Sequence, residues 1–288
     1  KIYDSIMIYV SSSCVKADRI GESVEILAVN GFNNIELSGG TEYYFGYEHE
    51  LLKLQEKYDL NYNCHNYFPP PKEHFVLNLA SLDDVIFKKS FNHIKESILL
   101  SKLFGAKKFG FHAGFFIDMT VNEIGKQISR YDLYRKKESI NRFCNAFDDL
   151  KENANGIDLY IENNVISRSN YDVYNGVNIF MMTSFEEYLN LRKKIDFNLL
   201  LDVAHLKVSS HTCGLILEKE FSNMINYSDY IHISDNDGFH DTNYQLKNDS
   251  ELLELISKHD VADKDFTLEV YDNISSIHDS YEALMRVI

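Results

Sequence analysis

The feature that most constrains this chain is a repeated alternation. A short run rich in branched and aromatic residues is followed by a longer stretch of helical periodicity, eight times over. The runs fall at 5–10, 33–38, 60–65, 107–112, 157–162, 198–202, 229–234 and 266–271. Each has the length and composition of a buried strand. Between them, 19–31 closes on Gly31 as a glycine-capped helix would, and 87–105 carries an extended apolar stripe. The stretch 184–195 opens on Ser184 with Glu187 three residues on, the spacing of a capping box, and 276–288 supplies an eighth helix. This alternation predicts an α/β fold, a single (β/α)8 TIM barrel over residues 1–288 with its active site at the C-terminal face of the strands. An open doubly wound sheet would need a glycine-rich turn after the first strand. The turn here, "SSSCVKAD", contains no glycine.

Composition narrows the class. The apolar runs are too short and too often broken by charge to span a bilayer, and the opening "KIYDSIMIYV" reads as a strand, not a signal peptide. A cytoplasmic protein is expected. The chain starts at Lys1 without a methionine, so a few residues ahead of it are expected as well. Cys14, Cys64, Cys144 and Cys213 are scattered with no C-x-x-C pair, which predicts reduced, mostly buried thiols. With 29 Lys and Arg against 44 Asp and Glu, the formal charge is −15. That balance disfavours nucleic acid, whose phosphates call for clustered cations.

The chemistry lies at the carboxyl ends of the predicted strands, which carry His65, His112, Glu162, Asp202, His232 and Glu269 in turn. Any one of these has an ordinary reading as a hydrogen-bonded core histidine, a cap or an ion pair. Six at six consecutive strand ends point instead to one constellation. Glu162, Asp202, His232 and Glu269 form an O, O, N, O donor set suited to a divalent cation such as Mn²⁺, Mg²⁺, Co²⁺ or Zn²⁺. A cation there would offset the repulsion of three carboxylates. His93, His211 and His259 are expected at the surface, and His74 in a lid. Three long connections, 66–86, 113–134 and 163–183, would all lie on the C-terminal face, where they could cover a substrate.

The segments "YIENN", "LLLDVAHL", "YIHISDNDGFHD" and "FTLEVY" resemble the metal-binding strand ends of the xylose isomerase-like TIM barrel superfamily, which holds sugar (phosphate) isomerases and epimerases and the zinc-dependent AP endonucleases (family 2). The resemblance implies Glu162, Asp202, His232 and Glu269 as ligands of the main ion, with His205 as a substrate contact or ligand to another ion. "CHNYF", "LNLAS" and "FHAGF" are similar to the AP endonuclease branch, which implies His65 and His112 as ligands of a second ion shared with Glu162. The endonucleases carry D-x-H after the histidine of the seventh strand. This chain reads Asp241, Thr242, Asn243, which removes the expected third zinc ligand.

Three functions follow as expectations. The first is a divalent-metal-dependent isomerase or epimerase of a sugar, sugar phosphate or related polyol. In it Glu162 and Glu269 act as acid and base around an enediolate, and His205 holds a substrate oxygen. The remaining substrate contacts are expected from Asp235, Asp241, Asn243, Lys207 and Arg168, although the ordinary and favoured reading of Lys207 and Arg168 is as surface cations. The second is an AP endonuclease-type phosphodiesterase using His65, His112 and Glu162. The third is a metal-binding barrel with lyase or dehydratase activity, or with none. The expected partner is a small sugar-like molecule, no membrane is involved, and a homo-oligomer is left open.

Overall fold

A computed structural model of the chain describes residues 6–154 and 156–288, so Ser5 of the first expected strand and the four residues before it lie outside the description. Eight parallel strands close into a barrel in sequence order: β1 (Ile8–Ser11), β2 (Asn34–Leu37), β3 (Asn61–His65), β4 (Lys108–His112), β5 (Asp158–Glu162), β6 (Asn198–Asp202), β7 (Tyr230–Ile233) and β8 (Asp265–Leu268). All eight overlap the expected runs; β1 ends one residue later than expected, and β8 starts one residue earlier and stops at Leu268, so Glu269 follows directly on its end.

Side-chain alternation along each strand divides the barrel into an outer and an inner set. Phe109, Phe111, Leu159, Ile161, Leu199, Leu201, Ile231, Ile233, Phe266 and Leu268 join the main hydrophobic core between strands and helices. The intervening residues point to the barrel axis. Tyr160, Leu200 and Tyr230 form a separate interior cluster. One inward step further on, the same three strands present Glu162, Asp202 and His232. Interstrand register then fixes the neighbours, pairing His112 with Glu162 and Asp202 with His232. Gly110 of β4 leaves room for this layer, since a Cβ there would stand 2.7 Å from Leu200 Cδ2 and 3.1 Å from His65 Cδ2.

The helices are α1 (Ile20–Val29), α2 (Tyr47–Tyr58), α3 (Asp84–Leu103), α4 (Lys136–Glu152), α5 (Arg168–Val173), α6 (Phe185–Arg192), α7 (Val203–Cys213), α8 (Leu217–Met224), α9 (Glu251–Ser257) and α10 (Ile274–Met285). The described residues thus hold ten α-helices where eight were expected. The helix after β6 is cut in two by Gly214, which caps α7 at φ 69°, and α5 is a single short helix inside the long β5–α6 connection. Ser184 caps α6 by accepting from the Glu187 N–H at 3.3 Å, but the Glu187 carboxylate accepts from the Thr183 N–H at 2.9 Å, one residue short of a full capping box.

The three long connections are not structureless. Val76, Phe115, Ile117, Ile128, Ile166, Tyr174 and Ile179 give them their own buried apolar cluster. Asn164 Nδ2 ties two of them together, donating to the carbonyls of Ala113, Gly114 and Met181 at 2.7, 3.1 and 3.0 Å. All four cysteines are free, and only Cys213 is not fully buried. Among the described residues no helix is long and apolar enough to cross a membrane.

Candidate active site

Closure of the barrel brings the strand-end residues into contact. His65 Nε2 lies 2.8 Å from Glu162 Oε2, and His112 Nδ1 lies 3.1 Å from the same oxygen. His232 Nδ1 sits between two carboxylates, 3.4 Å from Glu162 Oε1 and 3.5 Å from Glu269 Oε2. Donor atoms of Glu162, Asp202, His232 and Glu269 all lie within 4.8 Å of one another, as do those of His65, His112 and Glu162. These are the two sets expected from the sequence, and a third joins Glu36 to His65, His232 and Glu269.

Asp202 and His205 owe their positions to a strand that runs directly into a helix. Asp202 ends β6 and caps α7, its Oδ1 accepting from the His205 N–H at 2.7 Å. Asn163, next to Glu162, braces both. Its amide pairs with the backbone of Asp202 in both directions, and its carbonyl accepts from His205 Nδ1 at 2.9 Å. His205 Nε2 is left facing Asp241 Oδ2 at 3.3 Å and Asp202 Oδ2 at 3.6 Å.

The carboxylates and imidazoles of this array shift one another's titration strongly. Burial works to raise Glu162, but His112 and His65 outweigh it and keep its carboxyl well below the usual range. Burial together with Glu162, Asp241 and Glu269 pushes Asp202 up to about 7, against the pull of His205. Burial opposes charge on His232 and His205, yet Glu36 and Glu269 lift the first well above its normal value, and Asp202 and Asp241 lift the second. His112 is driven down to about 4 by burial, with Glu162 opposing.

Several buried polar atoms here make no hydrogen bond: Glu162 Oε1, His232 Nδ1, His65 Nδ1 and His112 Nδ1. Buried polar atoms are ordinarily satisfied, and a cation would satisfy the first two at once. The donor chemistry therefore fits a divalent cation.

Above the array lies a cavity of about 690 Å³. Its lining includes His65, His112, His205, Asp241, Asn243 and Glu269, while Glu162 is fully buried behind the imidazoles. The other expected substrate contacts are not in its wall. Arg168 is exposed and paired with Asp172 at 3.0 Å. Lys207 is buried rather than at the surface, donating to Asp235 Oδ1 and the Asn236 carbonyl, both at 2.9 Å. That contact consumes Asp235 too, so both serve to hold the β7–α9 loop on α7. His93, expected at the surface, is only 7% exposed because α3 packs it against Phe75. His74 reaches Glu42 on the neighbouring loop at 3.1 Å.

Sequence reasoning misses Glu36. This residue is fully buried, 3.1 Å from His232 Nε2 through Oε1, and accepts from the Thr267 hydroxyl at 3.2 Å. The signal that could have found it lies in "NIEL", a charge at an inward position between apolar residues.

A sequence model of the family described as xylose isomerase-like TIM barrel matches residues 24–280. No curated protein matches the chain significantly. Among solved structures, a D-tagatose 3-epimerase-like protein superposes with a TM-score of 0.72 at 17% identity, covering 98% of this chain and 97% of that one. D-psicose 3-epimerase from Clostridium cellulolyticum, solved with D-tagatose, gives 0.65 at 13% identity over 98% and 99%. Endonuclease IV from Thermus thermophilus gives 0.60 at 13% identity over 98% of both chains. At these identities the likeness is one of fold.

Proposed function

The chain belongs to the xylose isomerase-like TIM barrel family, and from that premise we propose that it is a divalent-cation-dependent isomerase or epimerase of a sugar, sugar phosphate or related polyol. The carrying observation is the convergence of Glu162, Asp202, His232 and Glu269 beneath an open cavity, with Glu162 Oε1 and His232 Nδ1 unsatisfied. The sugar epimerases among the solved proteins of like fold support the substrate class.

A cation bound by these four residues would polarise adjacent carbonyl and hydroxyl oxygens of the substrate and so acidify the C–H between them. Glu269, in the cavity wall, takes that proton, and Glu162 is the partner carboxylate that returns one. His205, held by Asn163, offers Nε2 to a substrate oxygen, and Asp241 orients it. Incubating the purified protein with ketoses, aldoses and their phosphates in D2O tests the reading. C–H exchange should require added Mn²⁺ or Co²⁺ and fall by about 10²–10⁴-fold in Glu269→Gln. Exchange at the wild-type rate in that variant would remove Glu269 from the acid–base role.

A second reading has its own observation, the His65–His112–Glu162 set. With a second ion there, the site would suit a phosphodiesterase, although Asn243 replaces the further histidine and the charge of −15 opposes DNA. Elemental analysis separates the two. One ion per chain with no cleavage of abasic DNA supports the isomerase, whereas two ions and His112-dependent cleavage support the nuclease.

A further inference from the structure

We infer that Glu36 is the positioning residue of this site: from inside the barrel it accepts the Nε2 hydrogen of His232 and so keeps Nδ1, the nitrogen beside Glu162 and Glu269, as the one that would ligate a cation. The inference rests on the cation-site reading above and adds to it a residue outside the ligand set.

His232 is fully buried and its two nitrogens have unlike surroundings. Nε2 has both Glu36 oxygens within reach, at 3.1 and 3.2 Å. Nδ1 faces Glu162 and Glu269 at longer range and makes no hydrogen bond. A neutral imidazole carries one proton, so the nitrogen that donates decides which one can ligate. Glu36 is itself fixed. It lies on β2, across the barrel from β7, and the Thr267 hydroxyl donates to its Oε2 at 3.2 Å. A carboxyl group so held orients the ring and raises the basicity of the opposite nitrogen, as outer partners of ligating histidines do. It also explains why a glutamate stands at an inward position of β2, where an apolar residue would pack at less cost.

The test uses the full chain labelled with ¹⁵N-histidine and loaded with Zn²⁺. In the wild type, His232 should show a protonated, slowly exchanging Nε2 and a ligated Nδ1. Glu36→Gln keeps an acceptor, so the Nε2–H signal should persist while Zn²⁺ affinity by competition with a chelator falls about 10-fold. Glu36→Leu removes the acceptor, and affinity should fall about 100-fold. A purely packing role would lower Tm without moving either readout. Should Glu36→Leu not fold, the nearly isosteric Glu36→Gln decides. Wild-type affinity in Glu36→Gln, or ligation through Nε2 in the unmutated protein, overturns the inference. A wild-type protein that binds no Zn²⁺ overturns the cation site itself, and the two failures are distinct.

Discussion

Glu162 lies within 4 Å of four imidazoles, those of His65, His112, His205 and His232. His65, His112 and His232 were legible from sequence for the same reason, that a polar residue at the carboxyl end of an apolar run has nowhere else to go in a barrel, whereas His205, inside α7, was expected from the resemblance of the D-x-x-H segment. Residues whose roles depend on tertiary contact were not legible. Lys207 reads as a free cation until α7 is seen to lie against the Asp235–Asn236 turn. His93 reads as a surface residue until α3 buries it, and here titration gives a prediction. Burial lowers the His93 pKa from 6.5 to about 4. Its folded value is therefore below its unfolded one, and unfolding takes up a proton between those limits. The contribution is fully present above pH 6.5 and is lost as pH falls toward 4, amounting to roughly 3 kcal/mol over the window. Urea unfolding from pH 7 to pH 4 should show this slope, flattened in His93→Gln; an unchanged slope would assign the loss to other groups.

At the scale of elements, strands proved more legible than loops. A strand of a parallel barrel is buried on both faces, so its apolar run is nearly continuous and its limits are sharp. Loop order comes instead from pairings between residues far apart in sequence, which no local pattern reveals. Asn164 illustrates this: its Nδ2 serves carbonyls from 113, 114 and 181. Nothing in "ENNV" distinguishes that role from a turn residue. Asn164→Ala removes the side-chain donor of the Ala113 and Met181 carbonyls, while that of Gly114 keeps the Met181 N–H, and a cost of about 1–3 kcal/mol is expected. The loops around the cavity mouth would then loosen together. Limited proteolysis should cut the variant faster within 113–134 and 163–183, with KM raised more than kcat is lowered. If cleavage in those loops stays at the wild-type rate, Asn164 does not hold them.

Over the whole molecule, the barrel gathers acidic groups that only a cation or protons can reconcile, and stability should report which is present. Asp202, pushed up to about 7 in the fold from the ordinary 3.8 of an aspartate, binds a proton more tightly folded than unfolded. Its contribution to metal-free stability is therefore greatest below pH 4 and lost as pH rises through about 7. A cation prefers the ionised carboxylate, and it also competes with the protons that the carboxylates hold on His232 and His205. Both effects have one sign, so stabilisation by Mn²⁺ should grow from pH 6 to pH 8. With the ion at about 100 times its Kd, the gain is about 2.7 kcal/mol, or several degrees in Tm. Asp202→Asn separates the terms, because an asparagine can still cap α7 through its side-chain oxygen. At pH 8 without metal the variant should melt higher than the wild type, and with Mn²⁺ lower, so that the two melting curves exchange order. A wild-type Tm indifferent to Mn²⁺ at pH 8 would mean that the carboxylates are reconciled by protons alone, and the barrel would then lack the centre its strand ends converge to build.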